Sequence, residues 1–478
     1  MGKKALLTIG GLTAIATLLV ISRQRILVMA AYDSDQRGAD FICDGLDDQV
    51  QIQAALDELR VLGKGRLLFR AGHYYLRPTP SMIYFLYTPG GVTFEGEGID
   101  ETFIYLTDSS SHGGIETDGW SWNNPYLVPP ITFRNMTIDC GSQQGFLHSD
   151  GGTYFYLLAM TTELELDGVR LVAHNSDIVT TRMFLWHCRD LEFVGSQFDG
   201  VNMWAFSNPL DIELNPYLLT NRTCTVNRCL FTNTSAHHMA LGGAMKNFTV
   251  VDSDFLNCGW VAVDASFSPH ARVLRNRIID SMYTAIYSEG GFDVQIKENT
   301  IHNITPNETG WGFGVHTADI LHMRLGGKVA IEDNEIDGCG IGICSRGVPD
   351  VAIRRNTVKN TWSHAVYLTW LGDNNEFYKG IPSYADECRV ERNKLVSFGT
   401  HNRWSRGIIL ANINHNVVEG NEIDGMDNPN ADIGILERRD EGEDLRDGCP
   451  DYNTIRSNPI GGVSRDIVYC GEHTIVEE

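Results

Sequence analysis

The chain has 478 residues, 61 acidic and 38 basic side chains, a formal charge of −23 and an isoelectric point near 5.0. That balance excludes nucleic acid as a partner, because phosphate attraction needs a basic face. It also disfavours polyanionic ligands unless a local cation compensates.

The N-terminus opens with Lys3 and Lys4, the apolar stretch Ala5–Ile21, then Arg23 and Arg25. The stretch is at the short limit for a membrane span and long for a signal-peptide core. A retained single-span membrane anchor within residues 1–25 is the favoured reading. A cleaved signal and a buried assembly segment stay open as alternatives.

Residues 26–110 read as a cap. Ile26–Ala31 is an apolar strand, and Asp44-Gly-Leu-Asp-Asp introduces a helix over Asp47–Arg60 with an aspartate at its start. Val50, Ala54, Ala55 and Leu59 supply its apolar stripe, and Gly63 and Gly65 follow its end. Arg66–Leu76 is a strand with Gly72 at a turn, and Gly91–Leu106 is a strand pair.

Residues 111–478 carry a repeated phrase: apolar, two variable residues, Asn, one variable residue, apolar. It reads Val273–Asn276–Ile278, Ile296–Asn299–Ile301, Ile331–Asn334–Ile336 and Ile353–Asn356–Val358. It continues as Val390–Asn393–Leu395, Val418–Asn421–Ile423 and Ile455–Asn458–Ile460, with Cys224–Asn227–Cys229 as an earlier copy. Asn276 to Asn299 is 23 residues and Asn334 to Asn356 is 22. A period in this range marks a solenoid whose units bury their apolar faces only by stacking. A second apolar run follows each phrase, such as Ala285–Tyr287 or Val366–Leu368, and β-branched residues favour strands. The expected fold is therefore all-β, a parallel β-helix with an N-terminal capping helix and an N-terminal hydrophobic segment. Right-handed crossovers are preferred for parallel strands. The asparagines suit the corners, because Asn tolerates left-handed φ/ψ and stacked amides can hydrogen-bond along the axis. Eleven cysteines show no regular spacing, so most read as buried thiols, with Cys339/Cys344 or Cys449/Cys470 open as bridges.

The run "GADFICDGLDDQVQIQAALDEL…GKGRLLFRAGHYYL…GVTFEGEGIDETFIYL" (within 38–106) resembles the N-terminal cap of right-handed parallel β-helix proteins of the pectate-lyase-like superfamily. It is especially similar to versions in phage tail and spike proteins and in secreted carbohydrate-active enzymes. The resemblance implies fold more than activity, since this superfold hosts lyases, hydrolases, epimerases and adhesins. The Asn-Thr-Asp and Gly-His-Gly runs of polygalacturonase-like hydrolases are missing from the coils. Ser268-Pro269-His270 resembles the Asp-Pro-His of alginate epimerases, with Ser268 where the acid should stand.

Residues following the second run of successive coils form a candidate line: Asp264, Ser288, Glu289, His316, Asp319, Arg346, Thr369, Trp370, Glu437 and Arg438. Stacked in register they would share one side at about 5 Å per coil. Carboxylates there suit acid/base glycoside chemistry, with Asp264, His316 and Asp319 as catalytic candidates and histidine as base. Trp311, His316, Tyr367 and Trp370 are the glycan-binding candidates, since aromatic rings give flat platforms for sugar faces. Trp120, Trp122, Trp362 and Trp404 stand in or beside insertions as well. No motif calls for a metal or cofactor. The expected function is a surface-exposed adhesin or virion spike that binds a polysaccharide or cell-surface glycan for attachment. Alternatives are an anchored or secreted polysaccharide lyase or glycoside hydrolase, and a structural shell protein. A homo-oligomer fits any of the three.

Overall fold

The computed structural model describes residues 25–477 apart from 78–83, 108–112, 118–128, 142–145, 148–152, 160–162, 174–181, 187–189, 207–222, 235–238, 308–310, 320–326, 370–385, 401–404, 412, 427, 429, 439–451 and 472. The stretch Ala5–Ile21 and Trp120, Trp122, Trp370 and Trp404 lie outside the described residues. Within them, no helix is long and apolar enough to cross a membrane.

Each coil contributes three short strands. Phe292–Lys297, Thr300–His302 and Phe313–Ala318 make one coil, and Gly327–Glu332, Glu335–Asp337 and Ile341–Arg346 make the next. Every strand of the first pairs in parallel with its counterpart in the second. The result is a right-handed parallel β-helix. The first strand, Arg25–Ala30, already pairs in parallel with Gly65–Phe69, so the expected cap includes the first rung of the solenoid. The last rung is Ile475–Glu477 on Thr454–Arg456.

The apolar slots stack in columns inside the coil. One runs Val226, Val250, Val273, Ile296, Ile331, Ile353, Val390, Val418 and Ile455, all in register and buried. Another includes Phe198, Phe231 and Phe255, whose rings stack at 4.6 and 4.7 Å. These columns move the earliest copy of the phrase by two residues. Its apolar slots are Val226 and Phe231, not Cys224 and Cys229, and Cys229 takes the asparagine slot.

The asparagines do not adopt the left-handed conformation expected of them. That role falls to the residue just before each: Arg275, Glu298, Asp333, Arg355 and Arg392 have φ of 54°, 57°, 57°, 55° and 56°. The corner needs one left-handed residue, and its side chain faces solvent, where Arg and Asp of neighbouring coils pair, as in Arg355–Asp333 at 2.8 Å. The Asn turns inward instead. In Asn334, Oδ1 accepts from the backbone N–H and Nδ2 of Asn299, both at 2.9 Å. Its Nδ2 donates to Asn356 Oδ1 and to the Ile296 carbonyl, each at 2.9 Å. The same pattern runs from Asn276 to Asn458. Cys229 and Ser253 continue it upward with shorter side chains.

The capping helix spans Gln49–Leu62 and ends at Gly63, whose φ of 75° supplies a left-handed stop. Its buried face is Ile52, Ala55, Leu56 and Leu59; Val50 and Ala54 of the expected stripe are exposed. Asp48 precedes the helix without capping it. Its buried carboxylate accepts instead from the backbone of Gly45 (2.8 Å) and Tyr75 (2.7 Å). Gln49 and Gln53, four apart on one face, hydrogen-bond the backbone of Arg77 and Tyr87. The helix thus satisfies edge groups that would otherwise invite strand addition. Cys339 and Cys344 are free and buried, which excludes that bridge, whereas Cys470 is disulfide-bonded.

The amide ladder makes a graded stability prediction. Asn334→Ala strands buried donors and acceptors on both neighbouring coils and should cost about 3 kcal/mol. Asn458→Ala, at the half-exposed last rung, should cost about 1 kcal/mol because water can replace the lost bonds. Urea unfolding of the two variants checks the gradient; equal losses would contradict it.

Candidate functional site

The candidate residues belong to the sheet built from the third strand of each coil. Parallel register resolves their expected single line into three. One outward row runs Gly242, Asp264, Tyr287, His316, Cys344, Tyr367 and Ile409. A second, two residues on, holds Glu289, Ala318, Arg346, Thr369, Ala411 and Arg438. Between them Ser288, Thr317, Ser345, Leu368 and Leu410 point into the core, and Glu437 ends that inward row. Glu437 faces inward: its Oε1 accepts from Asn453 Nδ2 at 2.8 Å and Thr474 Oγ1 at 3.1 Å, while its Oε2 is buried without a partner.

Polar groups gather where the two outward rows begin. Asp264 accepts from the Ser266 backbone N–H at 2.9 Å and from its hydroxyl. The Glu289 N–H donates to Ser266 Oγ at 3.2 Å, so one serine ties neighbouring coils together. The Tyr287 hydroxyl donates to Glu289 Oε2 at 3.0 Å. Next along the row is His316, 5% exposed, its ring centroid 5.1 Å from Tyr287 and 4.3 Å from Phe313. Its Nε2 is buried without a hydrogen-bond partner. Asp319 is buried too, and its N–H donates to the Arg346 carbonyl at 3.0 Å.

Low local dielectric sets the charge states. Burial pushes the Asp264 carboxyl up to about 6, against the lowering effect of its two bonds from Ser266. Glu289 is also raised, by burial first and then by the charges of Asp264 and Asp319, opposed by the Tyr287 hydroxyl. Burial, then the Arg346 charge, pushes His316 down to about 3. His316 is therefore a neutral imidazole at ordinary pH and a weak base. Tyr287 is raised by burial and by Glu289, so it stays a phenol donor.

Aromatic rings border this cluster. Trp260, 47% exposed, stacks on Tyr283 at 6.0 Å; Tyr283 meets Phe313 edge-on at 5.8 Å, and Trp311 lies 5.6 Å from Phe313. The Arg346 guanidinium sits 4.9 Å over the Trp311 ring. Of the glycan-binding candidates, Trp311 borders the cluster and is partly exposed, whereas His316 lies within it but is buried. Tyr367 does not present an open platform: it is 7% exposed and packs in an apolar cluster with Phe313, Ile341, Cys344, Ile409 and Ala411 outside the sheet. Trp370 is outside the described residues. Sequence reasoning passed over Trp260 and Tyr283, although both stand just before the third strand of their coils (Val261–Asp264 and Thr284–Glu289), a shared offset that could have flagged them. Among the described residues no three His, Cys, Asp or Glu side chains converge as metal ligands.

The architecture is a right-handed parallel β-helix, and residues 216–320 match the family described as "Right handed beta helix region". No curated protein matches in sequence. Among solved structures, the chain is similar to the catalytic unit of the thermostable GH87 α-1,3-glucanase from Streptomyces thermodiastaticus strain HF3-3. There the identity is 13%, with 88% of this chain and 67% of that one covered and a TM-score of 0.50. It is also similar to the mannuronan C-5 epimerase AlgE4 A-module of Azotobacter vinelandii (15% identity, 91% and 98% covered, TM-score 0.38). A third is PfbA, a surface adhesin of Streptococcus pneumoniae (14% identity, 85% and 92% covered, TM-score 0.43). At such identities the likeness is one of fold.

Asp264 should reveal itself in stability. Its folded pKa lies above the usual 3.8, so between about 4 and 6 the folded chain holds the extra proton. Stability then falls as pH rises through that window and stays lower above it. Asp264 keeps some exposed surface, which discounts the effect to the order of 1 kcal/mol. Asp264→Asn should remove the fall and raise stability at pH 7 by that amount, measured by thermal unfolding across pH. A variant less stable than the parent at pH 7 would contradict the raised carboxyl.

Proposed function

We propose that the protein is a surface-exposed β-helix that binds an extended polysaccharide along the outer face of the third-strand sheet, over the stretch from Trp260 to Arg346. The observation that carries this reading is the run of partly or fully exposed rings Trp260, Tyr283 and Trp311, packed around the buried Phe313, beside two rows of polar groups. Apolar ring faces fit the C–H faces of sugars, and the adjoining polar groups suit their hydroxyls. A stiff wall with one rung about every 5 Å meets successive sugars at a regular pitch. The parallel β-helix alone would not support the reading, because the fold hosts many unrelated functions. On a virion spike or a cell-surface appendage such a wall would serve attachment, with residues 5–21 holding the chain at a membrane.

Binding of the purified protein to immobilised neutral and acidic polysaccharides tests the reading. Trp260→Ala and Trp311→Ala should each weaken the bound glycan by roughly 1–3 kcal/mol, as loss of an aromatic anchor does. For a neutral glycan the affinity should change little with salt, since screening acts on charge pairs. Unchanged affinity in both folded variants would move the binding face elsewhere.

A further inference from the structure

We infer that the N-terminal end of the solenoid is a lipid-facing surface, with the outer side of the capping helix seated in the interfacial layer of a zwitterionic bilayer. This placement rests on the membrane-anchoring part of the proposed function and adds where the folded chain stands relative to the lipid.

The helix Gln49–Leu62 carries two apolar faces. Ile52, Ala55, Leu56 and Leu59 are buried against the coil. Val50 and Val61 stand eleven residues apart, three turns that bring them back within about 20° of each other. With the exposed Ala54 between them they form a second stripe on the side opposite the core, Val50 being 58% and Val61 87% exposed. The strand Phe41–Ile42 pairs with the first rung, Arg25–Ala30, on the edge away from Gly65–Phe69, and Ile42 is exposed there. Leu46, on the segment leading into the helix, is exposed as well. Among the described residues fourteen large apolar side chains are exposed, and seven of them fall between Ile26 and Leu62. A solenoid that ends in water closes with a polar outer face. This end does the opposite, and lipid is the medium that suits it.

Charge at this end selects the kind of lipid. Asp57 and Glu58 flank the outer stripe, and each is paired with an arginine: Asp57 with Arg60, and Glu58 with Arg25 at 3.5 Å. Asp35 pairs with Arg37 at 2.8 Å and Asp33 with His73 at 2.6 Å. The stripe can therefore approach a bilayer without presenting bare carboxylates beside it. Residues 25–64 hold four basic and eight acidic side chains, a balance that repels anionic headgroups. The partner is thus a zwitterionic surface, held by apolar contact.

Chain length supplies the second, independent argument. Ile21 ends the apolar stretch, and Arg25, four residues on, already begins the first rung. Four extended residues span no more than about 14 Å. With Ala5–Ile21 in the hydrocarbon, the first rung must start within the headgroup layer. A helix is about 10 Å across, so the capping helix fits between that rung and the bilayer interior. Its outer stripe then lies at the depth where amphipathic helices bury their apolar faces. A second copy of the chain could cover the same stripe only by displacing lipid that the short connection brings to it.

The test places a nitroxide label on the full chain at Val50→Cys, at Val61→Cys and, as a control on a distant coil, at Met426→Cys, which is 60% exposed. The free cysteines of the described residues are buried, and the parent chain labelled in parallel gives the background. Each protein is reconstituted in phosphatidylcholine vesicles, and its association with them is checked by flotation. Collision of the label with oxygen, which concentrates in lipid, is then compared with collision with a water-soluble nickel chelate. At Val50 and Val61 oxygen contact should rise and nickel contact fall relative to Met426. Labels at these two positions as open to nickel as the one at Met426, on a chain that floats with the vesicles, overturn the seated cap and leave the anchor standing. Shielding from both reagents also overturns it, because a second copy or the chain's own residues then cover the stripe. A chain that fails to float removes the anchor reading and the seated cap together.

Discussion

A buried side-chain amide is tolerable only when every one of its bonds is made, and that requirement governs this solenoid. Each interior ladder asparagine, from Asn299 to Asn421, accepts two bonds from the coil above it and donates one to the coil below and one to a backbone carbonyl. The geometry closes at a single rise between coils. A coil slipped by one residue would put the amide in solvent and a charged corner residue into the core. The amide bonds therefore specify register more sharply than the interchangeable Val and Ile of the apolar columns can.

Register in turn creates the outer wall. Because all third strands start at the same phase, an outward residue on one coil lies over an outward residue on the next, and chemistry accumulates in rows. Asp264, Tyr287 and His316 are far apart in sequence but occupy three consecutive rungs of one row. Further along, the row turns apolar through Cys344, Tyr367 and Ile409 and is buried outside the sheet. The wall is thus divided along its length into a polar segment rimmed by rings and a covered apolar segment.

The sequence made the coil legible because its pattern is physical: apolar slots two residues either side of a corner, repeated every 22 or 23 residues where no insertion lengthens the lap. The capping helix was legible too, though its face was rotated, since Val50 is 58% exposed while Ile52 and Leu56 are buried. What could not be read was anything that depends on phase between rungs. Cys229 shows this best. Spacing alone offered Asn227 as the ladder residue, and only pairing with Val250 and Phe255 shows that the thiol fills that slot. Tyr367 shows the second limit. Alternation marks it as outward, but an outward position can be covered, and no local pattern reports the cover. At the site, Asp264 and His316 were found because their types are rare in such runs, while Tyr287 was absorbed into an apolar run that it only half belongs to.

The contrast between the two sides of the coil is the strongest argument that the polar segment is more than surface. On the corner side, exposed charges are paired across coils and buried amides are complete. On the third-strand face the chain keeps a carboxyl that burial raises to about 6, a second carboxyl raised beside it, and an imidazole nitrogen with no partner. Buried polar atoms without a partner also occur elsewhere, at Gln49, Thr361 and Glu437 among others, so what sets this cluster apart is the gathering of two raised carboxyls and an unpartnered imidazole nitrogen on adjacent rungs. Replacing Asp264, Glu289 and His316 by the Ser and Thr that fill the adjacent inward row would relieve each of these burdens without altering the coil. They stand together on consecutive rungs beside the most exposed tryptophan of the described face, which is where the polysaccharide-binding reading lays its ligand.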